Sequence, residues 1–205
     1  MSNLVAYALV TLNEVKEALQ ISGSDDDARL SGYINRATDM IETYCGHRFL
    51  RATYTDEVYS GNNGYRLPLR NWPVVSISSI SNRTGDFNNP SWTTVDSGNY
   101  TLVTEGGKDR GLVYSAIGWP SSSGNFKITY IAGYATTADI PGDIKEACIE
   151  LVSFLYARAK ATPGMKSETL GRYSYTLETP TSGKGGIIER LGLDSILDAY
   201  RNMVV

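Results

Sequence analysis

Few residues of this chain could do chemistry, and none of them stands in a complete catalytic pattern. Residues 182–186 read Ser-Gly-Lys-Gly-Gly, which invites comparison with a phosphate-binding loop. Such a loop needs a glycine, four residues, and then Gly-Lys followed by serine or threonine. Here Lys184 is followed by glycine, so no hydroxyl is placed to hold magnesium. We predict a flexible hinge at this segment and no nucleotide or other cofactor.

The single histidine and an acidic cluster are the remaining candidates for chemistry. His47 follows a predicted helix end, and no serine in a nucleophile-elbow sequence accompanies it, which favours a capping or surface role over catalysis. Asp25, Asp26 and Asp27 lack the ligand spacing and the late glutamate of a calcium loop. Helix capping explains them better, because carboxylates stabilise the positive end of a helix dipole. We predict no catalytic residues and no metal site.

Composition and charge narrow the class of protein. The chain has 205 residues, of which 41% are hydrophobic and 20% charged, enough for a core in one large domain or a compact domain with an insertion. The formal net charge is −3, whereas proteins that grip phosphates usually carry a basic excess. This argues against a DNA-reading module. It leaves open a protein that surrounds DNA without binding it, because a neutral or acidic wall lets a polyanion slide past.

Two further features concern the cellular setting. No apolar run approaches the roughly 20 residues that a membrane helix needs, and residues 4–12 lack the basic flank and cleavage site of a signal peptide. We therefore expect no membrane partner. Cys45 and Cys148 are too few for a disulfide framework, and with one histidine they cannot complete a usual zinc site. We interpret them as half-buried thiols of a chain that folds in a reducing cytoplasm.

Helical signals open the chain. Thr11 with Glu14 three residues later is a capping-box pattern, and it precedes a short helix with an apolar face. A second amphipathic helix is predicted after the aspartate cluster, because apolar residues recur there at three- and four-residue steps. These residues are Leu30, Ile34, Ala37, Ile41 and Tyr44. Gly46 is well placed to end that helix as a left-handed cap.

The middle of the chain carries strand signals, with Thr, Tyr, Val and Ile in short runs between turn residues. The candidates are Thr53–Tyr59, Tyr65–Leu67, Val74–Ile80, Trp92–Val95, Tyr100–Thr104, Leu112–Tyr114 and Phe126–Ile131. Residues 61–64, Gly-Asn-Asn-Gly, predict a hairpin turn that pairs the first two strands. We expect a mostly antiparallel sheet or β-sandwich inserted between helices, and therefore an α+β fold.

The longest helix is predicted to start near Pro141 and to run from about Gly142 to Lys160. Its apolar residues form two stripes, and a helix that is apolar around most of its circumference is central to a core or packs against another subunit. A single chain of this length offers few layers to cover both stripes. We therefore predict a homo-oligomer with four residues of this helix at the subunit interface: Ile149, Val152, Phe154 and Tyr156.

The C-terminal part changes character again. Residues 162–186 are rich in Gly, Ser, Thr and Lys and predict a flexible arm with one strand-like piece, Tyr173–Leu177. A short amphipathic helix from about Asp194 to Met203 closes the chain, with Asp194 as the candidate cap.

Several short sequence segments follow one another in an order that, taken together, resembles a known pattern. They are Val10–Leu19, Asp25–Leu30, Ile41–Phe49, Leu67–Ile77, Ile131–Tyr134, Ile140–Ala147 and Leu193–Arg201. Each is unspecific alone, but their order and spacing resemble the head–tail connector (adaptor, or head-completion) family of tailed bacteriophages. The resemblance covers most of the chain. The glycine-rich stretch 162–186 and the loop 82–90 depart from the pattern of the family.

The resemblance implies a structural virion protein at the head–tail junction, made in the cytoplasm of the host bacterium. Members of the family form a ring, commonly of twelve subunits, beneath the portal protein, and a tail or stopper protein binds the distal side. Packaged DNA passes through the ring without specific binding. The C-terminal segment commonly docks on the portal, and the resemblance carries this role onto Ile196, Leu197, Tyr200 and Arg201.

These inferences divide the chain into three parts. Residues 1–50 and 140–161 are expected to form a helical ring-forming domain, residues 51–139 an inserted β domain, and residues 162–205 a flexible arm with a docking helix. Two alternatives stay open. One is a tail-completion or baseplate structural protein with a β-sandwich binding module, and the other is a small hydrolase or lysis enzyme, which the missing catalytic set disfavours.

Overall fold

The computed structural model describes residues 3–86, 88–105, 108–160, 167–170, 173–176 and 186–202. Its helices are α1 (Leu12–Leu19), α2 (Asp27–Cys45), α3 (Gly142–Lys160), α4 (Ile187–Arg190) and α5 (Asp194–Leu197). Its strands are β1 (Ala52–Gly61), β2 (Gly64–Pro68), β3 (Val74–Arg83), β4 (Trp92–Thr94), β5 (Tyr100–Glu105), β6 (Lys108–Trp119), β7 (Ser122–Ala132), β8 (Ser167–Leu170) and β9 (Tyr173–Thr176). The α+β class is confirmed.

The chain forms two compact units. The helical unit comprises Met1–Gly46 and Thr136–Arg201, and the β unit comprises His47–Ala135 and Asn202–Val205. In the helical unit α3 packs against α1, α2 and α5, and the two-stranded antiparallel hairpin of β8 and β9 also lies against α3.

The predicted ends of the first two helices are confirmed in part. Thr11 and Glu14 form the reciprocal capping box: the Glu14 backbone N–H donates to the Thr11 hydroxyl, and the Thr11 backbone N–H donates to the Glu14 carboxylate. Gly46 ends α2 with φ of 76°, a left-handed conformation that favours glycine. Asp26 occupies the N-cap position of α2, but its side chain makes no capping hydrogen bond and contacts α3 instead.

The predicted long helix is confirmed over its full length as α3. Most of its circumference is buried within the helical unit, as its mixed apolar surface indicated. The buried residues are Ile144, Ala147, Cys148, Ile149, Leu151, Val152, Ser153, Phe154, Leu155, Tyr156 and Ala157. This helix is therefore the centre of the helical core.

The β unit contains two antiparallel sheets that share one hydrophobic core. The first has the strand order β1-β7-β3-β4, and the second has the order β2-β6-β5. The alternation predicted for β7 is confirmed, because Phe126, Ile128 and Tyr130 are all buried while Lys127 and Thr129 lie on the other face. Side chains from both sheets meet in the core, among them Tyr59, Leu67, Ile80, Val113 and Trp119.

The hairpin predicted at residues 61–64 is wrong. The chain does turn there, but β1 pairs with β7 and β2 pairs with β6, so the flanking strands belong to different sheets. The turn is held by the end of β6, since the Asn63 backbone N–H donates to the Trp119 carbonyl at 2.8 Å. Turn residues specify a chain reversal, whereas burial of each strand's apolar face decides its partner.

The single closing helix predicted from Asp194 to Met203 is also wrong. A separate turn of helix, α4, precedes it, and α5 ends at Leu197, where a 3-10 turn follows over Asp198–Tyr200. Asp194 is the first helical residue rather than the cap, because Leu193 occupies the N-cap position. The strand-like piece at Tyr173 is found as β9, while the hinge predicted at residues 182–186 lies outside the described residues except for Gly186.

Candidate interaction surfaces

The four α3 residues predicted at a subunit interface are covered by the chain itself. Val152 is fully buried, and Tyr156, Phe154 and Ile149 are 2%, 4% and 8% exposed. Ile149 lines a shallow surface groove of about 400 Å³ together with residues of α1. The stripe that suggested a second subunit is thus accounted for within the helical unit, and a contact of these residues with a neighbouring subunit stays a prediction.

The four predicted docking residues lie at the end of the helical unit in different environments. Leu197 is fully buried, and its carbonyl accepts a weak hydrogen bond from the Cys45 thiol at 3.8 Å. Ile196 and Tyr200 are half-buried, whereas Arg201 is exposed. Tyr200 donates its hydroxyl to the Asp143 carboxylate at the start of α3, at 2.9 and 2.8 Å. The segment is therefore tied to the helices, and its docking role stays a prediction.

A second set of polar contacts ties the segment to α2. The Tyr44 hydroxyl donates to the Asp198 carboxylate at 2.8 Å, and this hydrogen bond, with a smaller contribution from burial, raises the pKa of Tyr44 to about 12. Arg201 lies over the Tyr44 ring, 5.4 Å from its centroid, and pairs with Asp198 at 3.6 Å. The guanidinium is 60% exposed, so it can reach a partner while the rest of the segment stays packed.

An apolar groove adjoins this end of the helical unit. It has a volume of about 390 Å³ and lies between α2 and the α4 turn. Its walls are mostly apolar and are formed by Arg36, Asp39, Met40, Thr43, Tyr44 and Gly186–Glu189. Sequence reasoning missed it, because α4 was not predicted.

Two ion-pair clusters join α3 to the N-terminal part of the helical unit. Lys145 pairs with Glu14 at 2.7 Å. Burial alone would raise the pKa of Glu14, but the hydrogen bonds from Lys145 and Thr11 outweigh it and lower the pKa. Tyr156 donates to the Asp26 carboxylate at 2.5 Å, and this bond, reinforced by Lys160, lowers the pKa of Asp26. Both clusters link α3 to the N-terminal part of the helical unit and so stabilise the packing of its helices.

The β unit contains a largely buried polar network around the Glu57 carboxylate. Tyr59 and Tyr130 each donate a hydroxyl to the Glu57 carboxylate at 2.5 Å, and Arg70 pairs with the same carboxylate at 3.2 Å. The Asn71 side-chain amide donates to the Tyr130 hydroxyl at 3.1 Å. Burial is the main cause that raises the pKa of both tyrosines. The network holds two neutral phenols and their partners in place.

His47 and the two cysteines are all buried. The His47 side chain is buried between Phe49 and Trp72, with ring centroids 4.7 and 4.8 Å away, so the predicted surface role is wrong. Cys45 and Cys148 are free thiols, fully buried rather than half-buried, and burial raises the pKa of each to about 12. Within the described ranges, no group of His, Cys, Asp or Glu could hold a metal ion.

Exposed apolar side chains are concentrated on the β unit. Among the described residues, the large hydrophobic side chains that stay exposed there are Val58, Tyr65, Val75, Tyr114 and Ile117. Tyr65 and Tyr114 stack on each other with ring centroids 6.2 Å apart. The exposure of this pair depends on strand pairing that the sequence does not display.

No described helix combines the length and apolar character needed to cross a bilayer. The fold is similar to three structures of gene transfer agent (GTA) particles. Two are necks, of an empty particle computed with C6 symmetry (16% identity, TM-score 0.56) and of a native particle computed with C12 symmetry (17% identity, TM-score 0.53). The third is a native GTA virion (16% identity, TM-score 0.54).

The similarity extends over nearly the whole chain in each case. It covers 99% of this chain and 94% of the other for the empty neck and the virion, and 100% and 97% for the native neck. No curated protein matches the chain.

The chain thus combines a helical unit with a β unit of two antiparallel sheets in an α+β fold. Residues 8–203 match the head completion protein family. The chain belongs to this family, a structural family of the phage particle and not a class of enzymes. The family recognised from the order of sequence phrases is confirmed.

Proposed function

We propose that the chain is a head–tail adaptor that forms a ring under the portal and connects the DNA-filled capsid to the tail. The match to the head completion protein family over residues 8–203 carries this proposal. The similar GTA chains come from a virion and from necks computed with C6 and C12 symmetry. A ring of twelve copies is compatible with both symmetries, and we propose that stoichiometry.

The proposed partners are the portal protein on one side and a tail or stopper protein on the other. In this arrangement DNA passes through the ring without sequence-specific contacts. The net charge of −3 supports passage rather than tight binding, because a protein that neutralises many phosphates would be held on the DNA. The chain works in the virion, at the head–tail junction, and needs no catalysis there.

We further propose that the C-terminal segment meets the portal through its exposed atoms. Of the four residues to which this role was assigned, Arg201 offers a largely exposed guanidinium, and Ile196 and Tyr200 are half-buried. Leu197 supports the segment from within the core. The docking residues thus divide into a contact, Arg201, and an anchor, Leu197.

A genetic experiment tests the proposed function. An amber codon early in the gene is introduced into the phage that encodes the chain, and infected non-suppressing cells are examined by electron microscopy. The adaptor role predicts separate tails and heads that have packaged DNA but lost or failed to retain it, with whole phage restored by a plasmid copy of the gene. Complete necks on heads, combined with defective tail tips or baseplates, would contradict the adaptor role and favour a tail protein.

A further inference from the structure

We propose that Tyr65, Tyr114 and Ile117 form a contact surface, the tyrosine patch, through which each copy of the chain binds the next copy in the ring. This inference rests on the proposed ring and names the lateral contact within it. The three side chains are 61%, 39% and 66% exposed.

Two of the three residues are in ring contact, and the third, Ile117, immediately precedes a glycine beside that contact. The rings of Tyr65 and Tyr114 stack at 6.2 Å with an interplanar angle of 23°. A Cβ atom placed on Gly118 would lie 3.9 Å from Cε1 of Tyr65, so the ring of Tyr65 lies beside the residue that follows Ile117. Arg66 is the register partner of Tyr114 across the two strands.

A β-bulge produces the exposure of Ile117. Gly64 pairs with Trp119 and Arg66 with Tyr114, so residues 115–118 of β6 stand opposite Tyr65 alone. Gly118 has φ of 77°, which side-chain-bearing residues rarely adopt. The buried Ser115 donates its hydroxyl to the Gly118 carbonyl at 3.1 Å and fixes the bulge. Bulges of this kind commonly re-aim a side chain for a function, and here the re-aimed side chain is apolar.

The distribution of apolar surface favours a second copy as the occupant. A ring subunit needs lateral surfaces for two neighbours of its own kind. In the helical unit the apolar residues of α3 are already covered by the chain itself. Among the described residues, the exposed large hydrophobic side chains other than Leu4 all lie on the β unit. Of these side chains, Tyr65 and Tyr114 stack on each other, and Ile117 precedes Gly118, beside which the Tyr65 ring lies, so we place the lateral contact on the tyrosine patch.

The exposed area of the tyrosine patch also fits a second copy of the chain as its partner. Its three side chains expose on the order of 300 Å², well below the roughly 800 Å² per partner of a stable two-body interface. Such a contact does not hold a dimer in solution. It suits copies that a template has already brought together, because each further contact round the ring is then effectively intramolecular.

Photo-crosslinking in assembled particles tests whether a second copy of the chain lies on the tyrosine patch. Benzoylphenylalanine is placed at position 117, or at position 75 as a control on another exposed aliphatic residue, and purified particles are irradiated. We expect the 117 variant to give a ladder at multiples of 22.4 kDa that contains this chain alone. A product that joins position 117 to a different virion protein, or no product from particles that contain the variant, overturns the inference. Absence of the chain from particles would instead contradict the proposed function.

A pair of variants tests whether the patch stabilises the ring. Tyr65→Ser with Ile117→Ser is compared with Val75→Ser, which removes one exposed apolar side chain from the other sheet. The double variant is expected to need an at least about tenfold higher concentration for assembly on portal particles, with an unchanged unfolding midpoint. Val75→Ser is expected to assemble like the wild type. Equal assembly of all three proteins, or an equal loss in both variants, would contradict the role of the patch.

Discussion

The Tyr200 hydroxyl donates to both carboxylate oxygens of Asp143, at 2.9 and 2.8 Å, and so links the C-terminal segment to the first turn of α3. The two residues are separated by 57 positions in the sequence, and nothing in their local patterns predicts the contact. With Tyr44 and Asp198 it makes two tyrosine–aspartate links that hold the segment on the helical unit.

We predict that Tyr200→Phe lowers the free energy of unfolding by about 0.5–1 kcal/mol, since an exposed hydrogen bond contributes modestly. The change should be localised. Hydrogen exchange measured by mass spectrometry should quicken in residues 194–201 and stay unchanged in α1. Tyr7→Phe, which removes an exposed hydrogen bond to Asp39, is the matched control and should leave exchange in residues 194–201 unaffected. Unchanged exchange in Tyr200→Phe would show that the link does not restrain the segment.

Substitutions of the anchor Leu197 and of the contact residue Arg201 should affect the stability of the helical unit to different extents. Leu197→Ala should destabilise the helical unit by about 2–4 kcal/mol, because it leaves a cavity at a fully buried site. Arg201→Ala should change stability by less than about 0.5 kcal/mol, because its ion pair with Asp198 is exposed. Urea denaturation followed by circular dichroism at 222 nm measures both. If Arg201→Ala keeps full stability and full affinity for portal particles, Arg201 is not the contact.

The ion pair between Glu14 and Lys145 predicts a pH-dependent contribution to stability. The folded-state pKa of Glu14 is lowered, so its contribution is present above the ordinary value of 4.5 and is lost as the pH falls through the folded-state value. Glu14→Gln keeps a carbonyl oxygen for the capping box but loses the charge. It should lower the free energy of unfolding by about 0.5–1 kcal/mol at pH 7.

The difference between wild type and Glu14→Gln should shrink as the pH falls below 4.5. Urea titrations at a series of pH values between 3 and 7 measure it, with circular dichroism reporting the helices. Glu17→Gln, on the exposed side of the same helix, provides the control. A difference that is constant over the whole pH range would mean that the charge of Glu14 contributes nothing.

The buried tyrosine network should stabilise the β unit. Tyr130→Phe removes a hydroxyl that serves Glu57, Tyr59 and Asn71, and should cost about 1–3 kcal/mol because buried partners are left unsatisfied. Tyr65→Phe removes a hydroxyl from an exposed ring and should cost almost nothing. All three tryptophans lie in the β unit, so fluorescence-monitored unfolding reports on it selectively. Equal stability of the two variants would contradict the proposed importance of the network.

Local patterns predicted the elements of this fold well, for physical reasons. The capping box at Thr11, the cap at Gly46 and the extent of α3 depend on residues within a few positions of one another. Period-two alternation likewise identified β7. Helix caps, helix lengths and strand alternation depend on residues that are close together in the sequence, so they can be recognised from the sequence alone.

Long-range pairing could not be predicted in the same way. The sequence predicted a turn at residues 61–64, but the pairing of β1 with β7 and of β2 with β6 is decided by burial in a shared core. The contact between Tyr200 and Asp143 and the stacking of Tyr65 on Tyr114 depend on that global arrangement. The apolar stripes of α3 suggested a second subunit because the sequence did not show which elements of the same chain would cover them.

The proposed adaptor ring is tested most directly by the native mass of the purified chain, alone and mixed with its portal protein. We expect a species of 22.4 kDa alone, and twelve copies bound to the portal after mixing, in line with the twelvefold symmetry used for a similar neck. A stable trimer or hexamer that forms without the portal and does not bind it would contradict the adaptor ring and assign the protein to the tail.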